Sequence, residues 1–262
     1  MYPYISVFGR NVGTYGMCML LGIALAVILA IYKGKPKGLV FEDVLIVGAF
    51  ALGFALIGGC VLFTFVTYSL EQIMAFVRSG DFRFLSSGIV FYGGLIGGIL
   101  GALLGVRVAG CGFAVVECSV VPFIPLGHAI GRIGCVMAGC CHGFVYDGPL
   151  ALHYSHSVLG LSPTQGYFPV QPLESLLNVG ICVFLLWYEK KMRRATELLF
   201  AYLGLYAVSR FFLEFLRGDA IRGIWYHLST SQIISFALLC ISILGMFWKR
   251  ASSGKHKKAP LG

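Results

Sequence analysis

Seven apolar runs, each long enough to cross a lipid bilayer, constrain this chain of 262 residues more than any other feature. The hydrocarbon core of a bilayer is about 30 Å thick, so a crossing helix needs roughly 20 apolar residues. The chain is 58% hydrophobic and 12% charged, whereas about a quarter of the residues in a typical soluble domain are charged. We therefore predict an all-α integral membrane protein with seven transmembrane helices in a single domain, residues 1–262. The predicted spans are 12–32, 41–67, 88–106, 113–139, 171–188, 197–216 and 229–248.

The distribution of lysine and arginine predicts the orientation. With the N-terminus outside, thirteen of these residues fall in cytoplasmic connections and five in outer ones, and all nine lysines are cytoplasmic. Because positive charge concentrates in cytoplasmic loops, we predict the N-terminus outside and the C-terminus in the cytoplasm. The net charge of +9 is then mainly a topology signal. We expect no nucleic-acid partner, since no basic face with interleaved aromatic residues is evident, and no cleavable signal peptide.

Two long connections face outward in this topology. Residues 68–87 alternate apolar and charged positions, as an amphipathic segment at the membrane interface does. Residues 142–170 form a longer connection with three prolines and several aromatic residues. Because long ordered loops in compact proteins are usually functional, these outward segments favour the outer leaflet as the working side.

Several ionisable side chains lie in or at the ends of the predicted spans. Such groups cost about 2.5–3.5 kcal/mol each on insertion scales, which makes them candidates for function. Arg210 and Glu214 stand four residues apart on one helix face, either as a structural ion pair or as part of a site. Several arginines around one cavity would suit a phosphate diester, because guanidinium forks match phosphate oxygens. The set comprises Glu117, Arg132, Glu174, Arg210, Glu214 and the adjacent Arg217.

The third span carries glycine at every fourth position, with Gly93 the first of the series. A helix face almost without side chains lets another helix or a lipid approach the backbone closely. Two interpretations follow, close helix packing or a flat wall beside a substrate cavity.

Six stretches, in order along the chain, are similar to one enzyme family. They read YGMCMLLG, GIVFYGGLIGG, IPLGHAIGRIGCVMAGCCHG, PVQPLES, LGLYAVSRFFLEFLRGD and LSTSQIIS. With these motifs the chain resembles the prolipoprotein diacylglyceryl transferases, which are seven-span enzymes of the bacterial cytoplasmic (inner) membrane. The resemblance implies transfer of the diacylglyceryl group from phosphatidylglycerol to the lipobox cysteine of a lipoprotein precursor, with release of glycerol phosphate. It implies a multi-pass protein of that membrane that needs no metal and no organic cofactor.

The resemblance also implies roles for particular residues. Arg132 and Arg210 would stabilise the negative charge on the departing phosphate in a low-dielectric cavity. Glu214 would hold Arg210 in place. The catalytic candidates are Arg132, Arg210, Tyr92, Glu214 and His128. The candidates for substrate binding are Arg217, Glu174, Gly88, Gly93, Gly94, Gly143, Cys135 and Tyr15.

The sequence departs from the family pattern at three places. Tyr92 stands in FYGG where the family has a histidine, and tyrosine, with a pKa near 10, is a weaker base at neutral pH. His128, one helical turn before Arg132, is either a replacement base or a packing residue. A family arginine of the second span has no counterpart in FALIGGCVLF. In the fourth span Cys135 and Cys140 replace an amide and an acid.

Four interpretations of the cluster of Cys135, Cys140 and Cys141 remain open. In the first the thiols pack as small residues, and in the second they form a disulfide. In the third they bind a metal with His142 or with the pair His153 and His156. The order C-x4-C-C-H matches known zinc spacings poorly. A catalytic thiol is the fourth. Alternatives to the implied function are the same fold with another acceptor, an acyltransferase that uses a thioester on Cys135, and a lipid or anion carrier that is not an enzyme.

Overall fold

The computed structural model describes residues 2–7, 9–81, 90–191, 196–218, 224–225 and 228–256. Within these ranges the chain is mostly helical. The helices are α1 Thr14–Gly34, α2 Phe41–Thr67, α3 Leu70–Ser79, α4 Phe91–Ala109, α5 Phe113–Val120, α6 Ile124–Ala138, α7 Val170–Glu189, α8 Thr196–Glu214 and α9 Thr230–His256. Short 3-10 turns lie at Lys35–Lys37 and Val121–Phe123. The strands are β1 Tyr4–Val7, β2 Arg10–Gly13, β3 Ile224–Trp225 and β4 Leu228–Ser229.

A helix lies at each of the seven predicted spans. Among the described residues, five segments are long and apolar enough to cross a membrane. The helix α4 has a shorter apolar stretch, Gly93–Ala109, and α8 carries three charged residues within its 19 positions. The five segments are Thr14–Lys37, Phe41–Thr67, Phe113–Ala138, Val170–Glu189 and Thr230–Phe247. The chain therefore has the composition of a multi-pass membrane protein, and the count of seven spans stays a prediction.

The chain divides into two compact units, residues 31–116 and residues 1–30 with 117–262. The first unit contains α2, α3 and α4. The second contains the antiparallel hairpin β1–β2, most of α1, and α6 to α9. The expectation of one domain over residues 1–262 stays a prediction.

Close backbone packing joins α2 and α4 in the first unit. A Cβ added at Gly93, Gly97 or Gly101 would overlap backbone carbonyl groups of α2. The glycine face of the third predicted span is thus a helix-packing face, which is the first of the two interpretations above. Contact of backbones at this distance is possible only where side chains are missing.

The amphipathic helix α3 occupies part of the segment 68–87, which is predicted to face outward. Ser69 and Gln72 form a capping box at its start, since each side chain binds the backbone of the other residue. This reciprocal pattern satisfies two backbone donors that a helix end leaves free. Gly80 ends the helix in the left-handed conformation.

Proline interrupts the fourth predicted span. Pro122 and Pro125 lack the backbone N–H that an α-helix needs, and the chain forms a 3-10 turn at Val121–Phe123 between α5 and α6. The turn is buried. Phe123 packs in a core cluster with Ala30 and Cys182, which fixes the position where α6 begins.

The buried carboxylate of Glu117 caps α8. Its Oε1 accepts a hydrogen bond from the Leu199 backbone N–H at 2.9 Å, in the first turn of that helix. A carboxylate at a helix N-terminus satisfies a free donor and is attracted by the positive end of the helix dipole. Glu117 is 3% exposed, so this intramembrane charge has a structural function.

Candidate functional site

An ion pair buried between α6 and α7 forms the first part of the site. Arg132 Nη2 lies 2.9 Å from Glu174 Oε1, and the side chains are 14% and 3% exposed. The Ser175 hydroxyl donates to the Ala129 carbonyl at 2.9 Å, which fixes the register of the two helices. His128 Nε2 lies 3.9 Å from the same carboxylate oxygen, a distance too long for a direct hydrogen bond.

A second buried ion pair lies on α8. Arg210 Nη2 is 2.7 Å from Glu214 Oε2, so the predicted pair at a spacing of four residues is present. The same nitrogen donates to Ser231 Oγ on α9 at 3.3 Å. Ser231 belongs to the quoted motif LSTSQIIS, but nothing in its local pattern identified it as a partner of Arg210.

The two pairs belong to one charged group in the second unit. Arg210 interacts electrostatically with Glu174 and Arg217, and Arg132 interacts with Arg217. The His128 ring packs against Tyr206 of α8, with 5.6 Å between ring centroids. Helices α6, α7 and α8 thus bring together most of the ionisable residues that the sequence singled out.

Each buried arginine keeps one donor without a partner. Among the described residues, no hydrogen-bond acceptor contacts Arg132 Nε or Arg210 Nη1, and both atoms are buried. A buried donor that stays unpaired costs about 1–3 kcal/mol. Each of these donors is therefore suited to an oxygen atom of an anionic ligand.

A backbone bridge positions Arg217 next to the end of α6. Gly143 and Arg217 pair as an isolated antiparallel bridge, and the Gly218 N–H donates to the His142 carbonyl at 3.1 Å. A Cβ on Gly143 would overlap Phe168. Glycine is thus required at position 143 for packing of the loop 142–170, while the role of Gly143 in substrate binding stays a prediction.

Side chains from the loop and from α7 hold the C-terminal end of α6. Gln171 Nε2 donates to the Cys140 carbonyl at 2.9 Å and to the Tyr154 hydroxyl at 2.8 Å. Burial raises the pKa of Tyr154 to about 12, so its hydroxyl remains protonated at neutral pH. Ser157 Oγ donates to the Gly139 carbonyl at 2.7 Å. These partners were missed because they join segments distant in sequence.

The three clustered cysteines lie together at this end of α6. The sulfur atoms of Cys135, Cys140 and Cys141 are all within 4.8 Å of one another, and all three are free thiols. Arg132 Nη1 donates to Cys135 Sγ at 3.9 Å. The Cys140 thiol donates to the Cys135 carbonyl at 3.9 Å, and hydrogen bonding with the Cys135 and Cys141 side chains raises the pKa of Cys140. Hydrogen bonds from Cys135 and Cys140, together with the nearby Arg217 guanidinium, lower the pKa of Cys141.

The histidines proposed with these thiols lie apart from the group. His142 Nδ1 contacts the Gly143 carbonyl at 2.8 Å, and its ring packs edge-on against Tyr167. His153 and His156 are exposed. Within the described ranges, the three thiols alone form the cluster that can hold a metal.

Tyr15 lies beside the site, whereas the remaining candidates lie elsewhere or outside the described residues. Tyr15 interacts electrostatically with Arg132 and with the three clustered cysteines. Helix α1 packs against α6 at this residue, since a Cβ added at Gly134 would lie 3.2 Å from the Tyr15 Cα. Gly93 and Gly94 belong to α4 of the first unit and face α2. Gly88 and the Tyr92 side chain lie outside the described part of the chain, so their roles stay predictions.

These features define a multi-pass membrane protein with buried, carboxylate-paired arginines among its helices. The sequence profile of the family "Prolipoprotein diacylglyceryl transferase" matches residues 3–248. The chain is 31% identical over 246 residues to phosphatidylglycerol–prolipoprotein diacylglyceryl transferase 2 of Clostridium perfringens, covering 91% of each chain. It is 33% identical over 257 residues to the Pasteurella multocida enzyme named phosphatidylglycerol–prolipoprotein diacylglyceryl transferase, covering 93% of this chain and 90% of the relative. The chain belongs to the prolipoprotein diacylglyceryl transferase family.

Proposed function

We propose that this protein transfers the diacylglyceryl group of phosphatidylglycerol to the cysteine thiol of a lipobox-containing prolipoprotein and releases glycerol phosphate. The names of its relatives state both substrates. The observation that carries the proposal is the pair of buried arginines, Arg132 and Arg210, each with a free donor. A phosphate diester is the part of phosphatidylglycerol that those donors fit.

The reaction places its developing charge where the arginines lie. The thiol sulfur attacks the sn-3 carbon of the diacylglyceryl group, a carbon–sulfur bond forms, and the bond from that carbon to the phosphate oxygen breaks. The departing glycerol phosphate gains negative charge, which Arg132 and Arg210 stabilise. Donors held in place in a buried site stabilise such charge without reorganisation at the moment of reaction.

The carboxylates and the third arginine have positioning roles in this proposal. Glu174 and Glu214 hold the two guanidinium groups, and Arg217 binds the head group at the outer mouth. His128, beside Arg132 on α6, accepts the thiol proton, with Tyr92 as the second candidate base. The proton ends on the glycerol phosphate that departs.

The proposal includes the topology. Seven helices cross the bacterial cytoplasmic membrane, the N-terminus is outside and the C-terminus is cytoplasmic. The segments 68–87 and 142–170 then face outward, on the side where exported prolipoproteins carry their lipobox. The positive charges of the connections support this orientation.

The test uses the purified full-length protein in detergent with phosphatidylglycerol and a lipobox peptide. Mass spectrometry is expected to detect diacylglyceryl addition to the peptide cysteine together with release of glycerol phosphate. Arg132→Ala is expected to reduce transfer about 100-fold or more, the effect of losing one donor to a developing charge.

Two controls make the result specific. Arg107→Ala removes an exposed arginine at the end of α4 and should leave transfer unchanged, and a peptide with serine in place of cysteine should gain no lipid. A stable acyl group on Cys135, or glycerol phosphate release that needs no thiol acceptor, would contradict the proposal in favour of an acyltransferase or of another acceptor.

A further inference from the structure

The cysteine cluster is a product of the way α6 ends. Gly139 adopts the left-handed conformation with φ of 67°, and the Cys140 N–H donates to the Cys135 carbonyl at 3.2 Å. This six-residue closure is a Schellman motif, which turns the chain back over the last turn of the helix. It places Cys140 and Cys141 beside Cys135, so that residues five and six apart bring their sulfurs together.

The backbone at Cys141 is unusual. Its φ is 55°, a left-handed conformation that side-chain-bearing residues rarely adopt. The surrounding contacts hold it there: the next residue, His142, accepts the hydrogen bond from Gly218. A non-glycine residue kept in this region costs roughly 1–3 kcal/mol, and such positions concentrate at functional sites.

The arrangement of the three sulfurs suits a metal ion better than either packing or a disulfide. A disulfide would use two sulfurs and leave the third without a role. Zinc binds thiolate at about 2.3 Å, so three sulfurs around one zinc ion lie about 4 Å apart. The observed separations of at most 4.8 Å are compatible with that spacing.

The charges around the three cysteines are also suitable for a bound zinc ion. Three thiolates and one divalent cation carry a net charge of −1. Arg132 contacts Cys135, and the Arg217 guanidinium lies beside Cys141. These two cations offset the charge of the loaded site.

We propose that Cys135, Cys140 and Cys141 bind one Zn²⁺ and leave its fourth position open for the thiolate of the acceptor. Zinc sites with three protein ligands and one open position are characteristic of catalysis, whereas structural sites have four protein ligands. Within the described residues no fourth ligand joins the group, because His142 turns to the Gly143 carbonyl. The assignment of an acceptor to the open position rests on the proposed function. It replaces our expectation from the family resemblance that no metal takes part.

The step balances without a redox partner. The acceptor thiol binds zinc as a thiolate, and its proton passes to His128. Its sulfur attacks the diacylglyceryl carbon, and the electron pair of the broken carbon–oxygen bond leaves with glycerol phosphate, which takes up the proton. The metal remains Zn²⁺. The thioether product carries no negative charge, so it leaves the zinc more readily than the thiolate did. Zinc would thus activate the thiol in a chain that has Tyr92 where the family has a histidine.

The first experiment measures metal content of the full-length protein purified in detergent from cells supplied with zinc. Elemental analysis by mass spectrometry is expected to find one zinc per chain. Separate substitutions of Cys135, Cys140 and Cys141 by serine should each reduce the zinc content at least tenfold. Cys60→Ser, in α2 of the other unit, should retain it. A thermal unfolding measurement on each variant shows whether loss of metal follows loss of fold.

The second experiment tests the open position by replacing zinc with Co²⁺. Thiolate–cobalt charge-transfer absorption reports the sulfur ligands, and the visible bands report the coordination geometry. A lipobox peptide should shift the visible bands and add thiolate absorption, while the peptide with serine should change neither. Both readouts are independent of transfer activity.

The outcomes separate this inference from the proposed function. Protein without zinc, or full zinc content in the serine variants of Cys135, Cys140 and Cys141, would overturn it. A disulfide among the three cysteines in the isolated protein, or cobalt spectra that do not respond to the peptide thiol, would overturn it as well. Transfer that persists after complete removal of zinc would overturn only the role of zinc in the reaction, and the proposed transferase function would stand. A site that binds zinc and thiol but transfers no diacylglyceryl group would overturn the proposed function instead.

Discussion

At the scale of single residues, each buried arginine has one carboxylate partner and one free donor. Arg132 pairs with Glu174 and Arg210 pairs with Glu214. The carboxylates lower the cost of placing guanidinium groups among apolar helices. The free donors remain available for a ligand. The carboxylate partners thus lower the cost of the buried charges, while the free donors fit the phosphate group of the proposed substrate.

The geometry of the guanidinium group leads to the first prediction. Arg210→Lys keeps the positive charge but loses the planar fork that contacts both Glu214 and Ser231. Because lysine is a point charge that does not replace a fork, transfer from phosphatidylglycerol should fall about 100-fold. The rate is measured by mass spectrometry of the peptide product. Arg78→Lys, on the exposed surface of α3, is the matched control, and equal rates for the two variants would contradict the role of Arg210.

The buried ion pair leads to a second prediction. Glu174→Gln leaves Arg132 charged and without its carboxylate, so the free energy of unfolding should decrease by about 3 kcal/mol. Thermal unfolding in detergent measures the change. Adding Arg132→Met should restore most of the stability, since no unpaired charge then remains. The exposed Glu71→Gln on α3 should have no effect. Failure of the double variant to recover would show that the pair does not act as a unit.

The sequence identifies which residues are chemically important more easily than it identifies their partners. The pair of Arg210 and Glu214 follows from helical spacing, and the structure contains it. The pair of Arg132 and Glu174 joins two helices, and helical spacing carries no information about contacts across helices. For the same reason Ser231 and Gln171 were not predicted as partners.

At the scale of secondary structure elements, glycine determines how closely α2 and α4 pack. The missing side chains of Gly97 and Gly101 let the helix backbones meet. In lipid, close van der Waals contact replaces the hydrophobic effect as the main source of helix association. The pairing of these helices therefore depends on a few positions without a Cβ.

The third prediction compares two glycines within this pair of helices. Gly97→Ala places a Cβ against the Phe54 carbonyl, and overpacking of this kind should reduce the free energy of unfolding by about 1–3 kcal/mol. At Gly48 in α2, an added Cβ would meet no atom of another part of the chain within 4 Å. Gly48→Ala should therefore leave stability unchanged or raise it, since alanine favours helix. Thermal unfolding in detergent distinguishes them. A similar effect at both positions would mean that contact with Phe54 is not the cause.

Helices were predictable from apolar runs, whereas the finer elements were not. The residues of α2 coincide with the predicted span 41–67. The 3-10 turn at Val121–Phe123 could have been anticipated from Pro122 and Pro125. The hairpin β1–β2 gave little signal, because its four-residue strands are too short for a periodic pattern to emerge.

At the scale of the whole molecule, charge in the connections defines the expected orientation. Lysine concentrates on one side of the predicted membrane topology, and this asymmetry is independent of how the helices pack. The substrate also requires a defined side, because the prolipoprotein cysteine must reach the site from where the precursor is exported.

The fourth prediction tests this orientation in intact cells. An epitope tag inserted after Gly160, an exposed residue in a left-handed turn of the loop 142–170, should bind antibody from outside. A tag at the C-terminus should bind only after the cells are permeabilised. The two tagged proteins are compared for retained transfer activity, which ensures that each is folded. The reverse pattern of access would contradict the N-out topology.

The cap that Glu117 provides has a mechanical consequence. It holds α8 at Leu199, and Arg210 lies about 16 Å further along the helix axis, at 1.5 Å per residue. In the proposed topology this anchor is near the cytoplasmic surface, and the arginine it locates is near the outer one. The depth of the Arg210 guanidinium in the membrane is therefore determined by its distance from the Glu117 cap and not by the thickness of the surrounding lipid. If the bilayer around this protein becomes thicker or thinner, the peripheral helices should change their tilt before the Arg210 guanidinium is displaced.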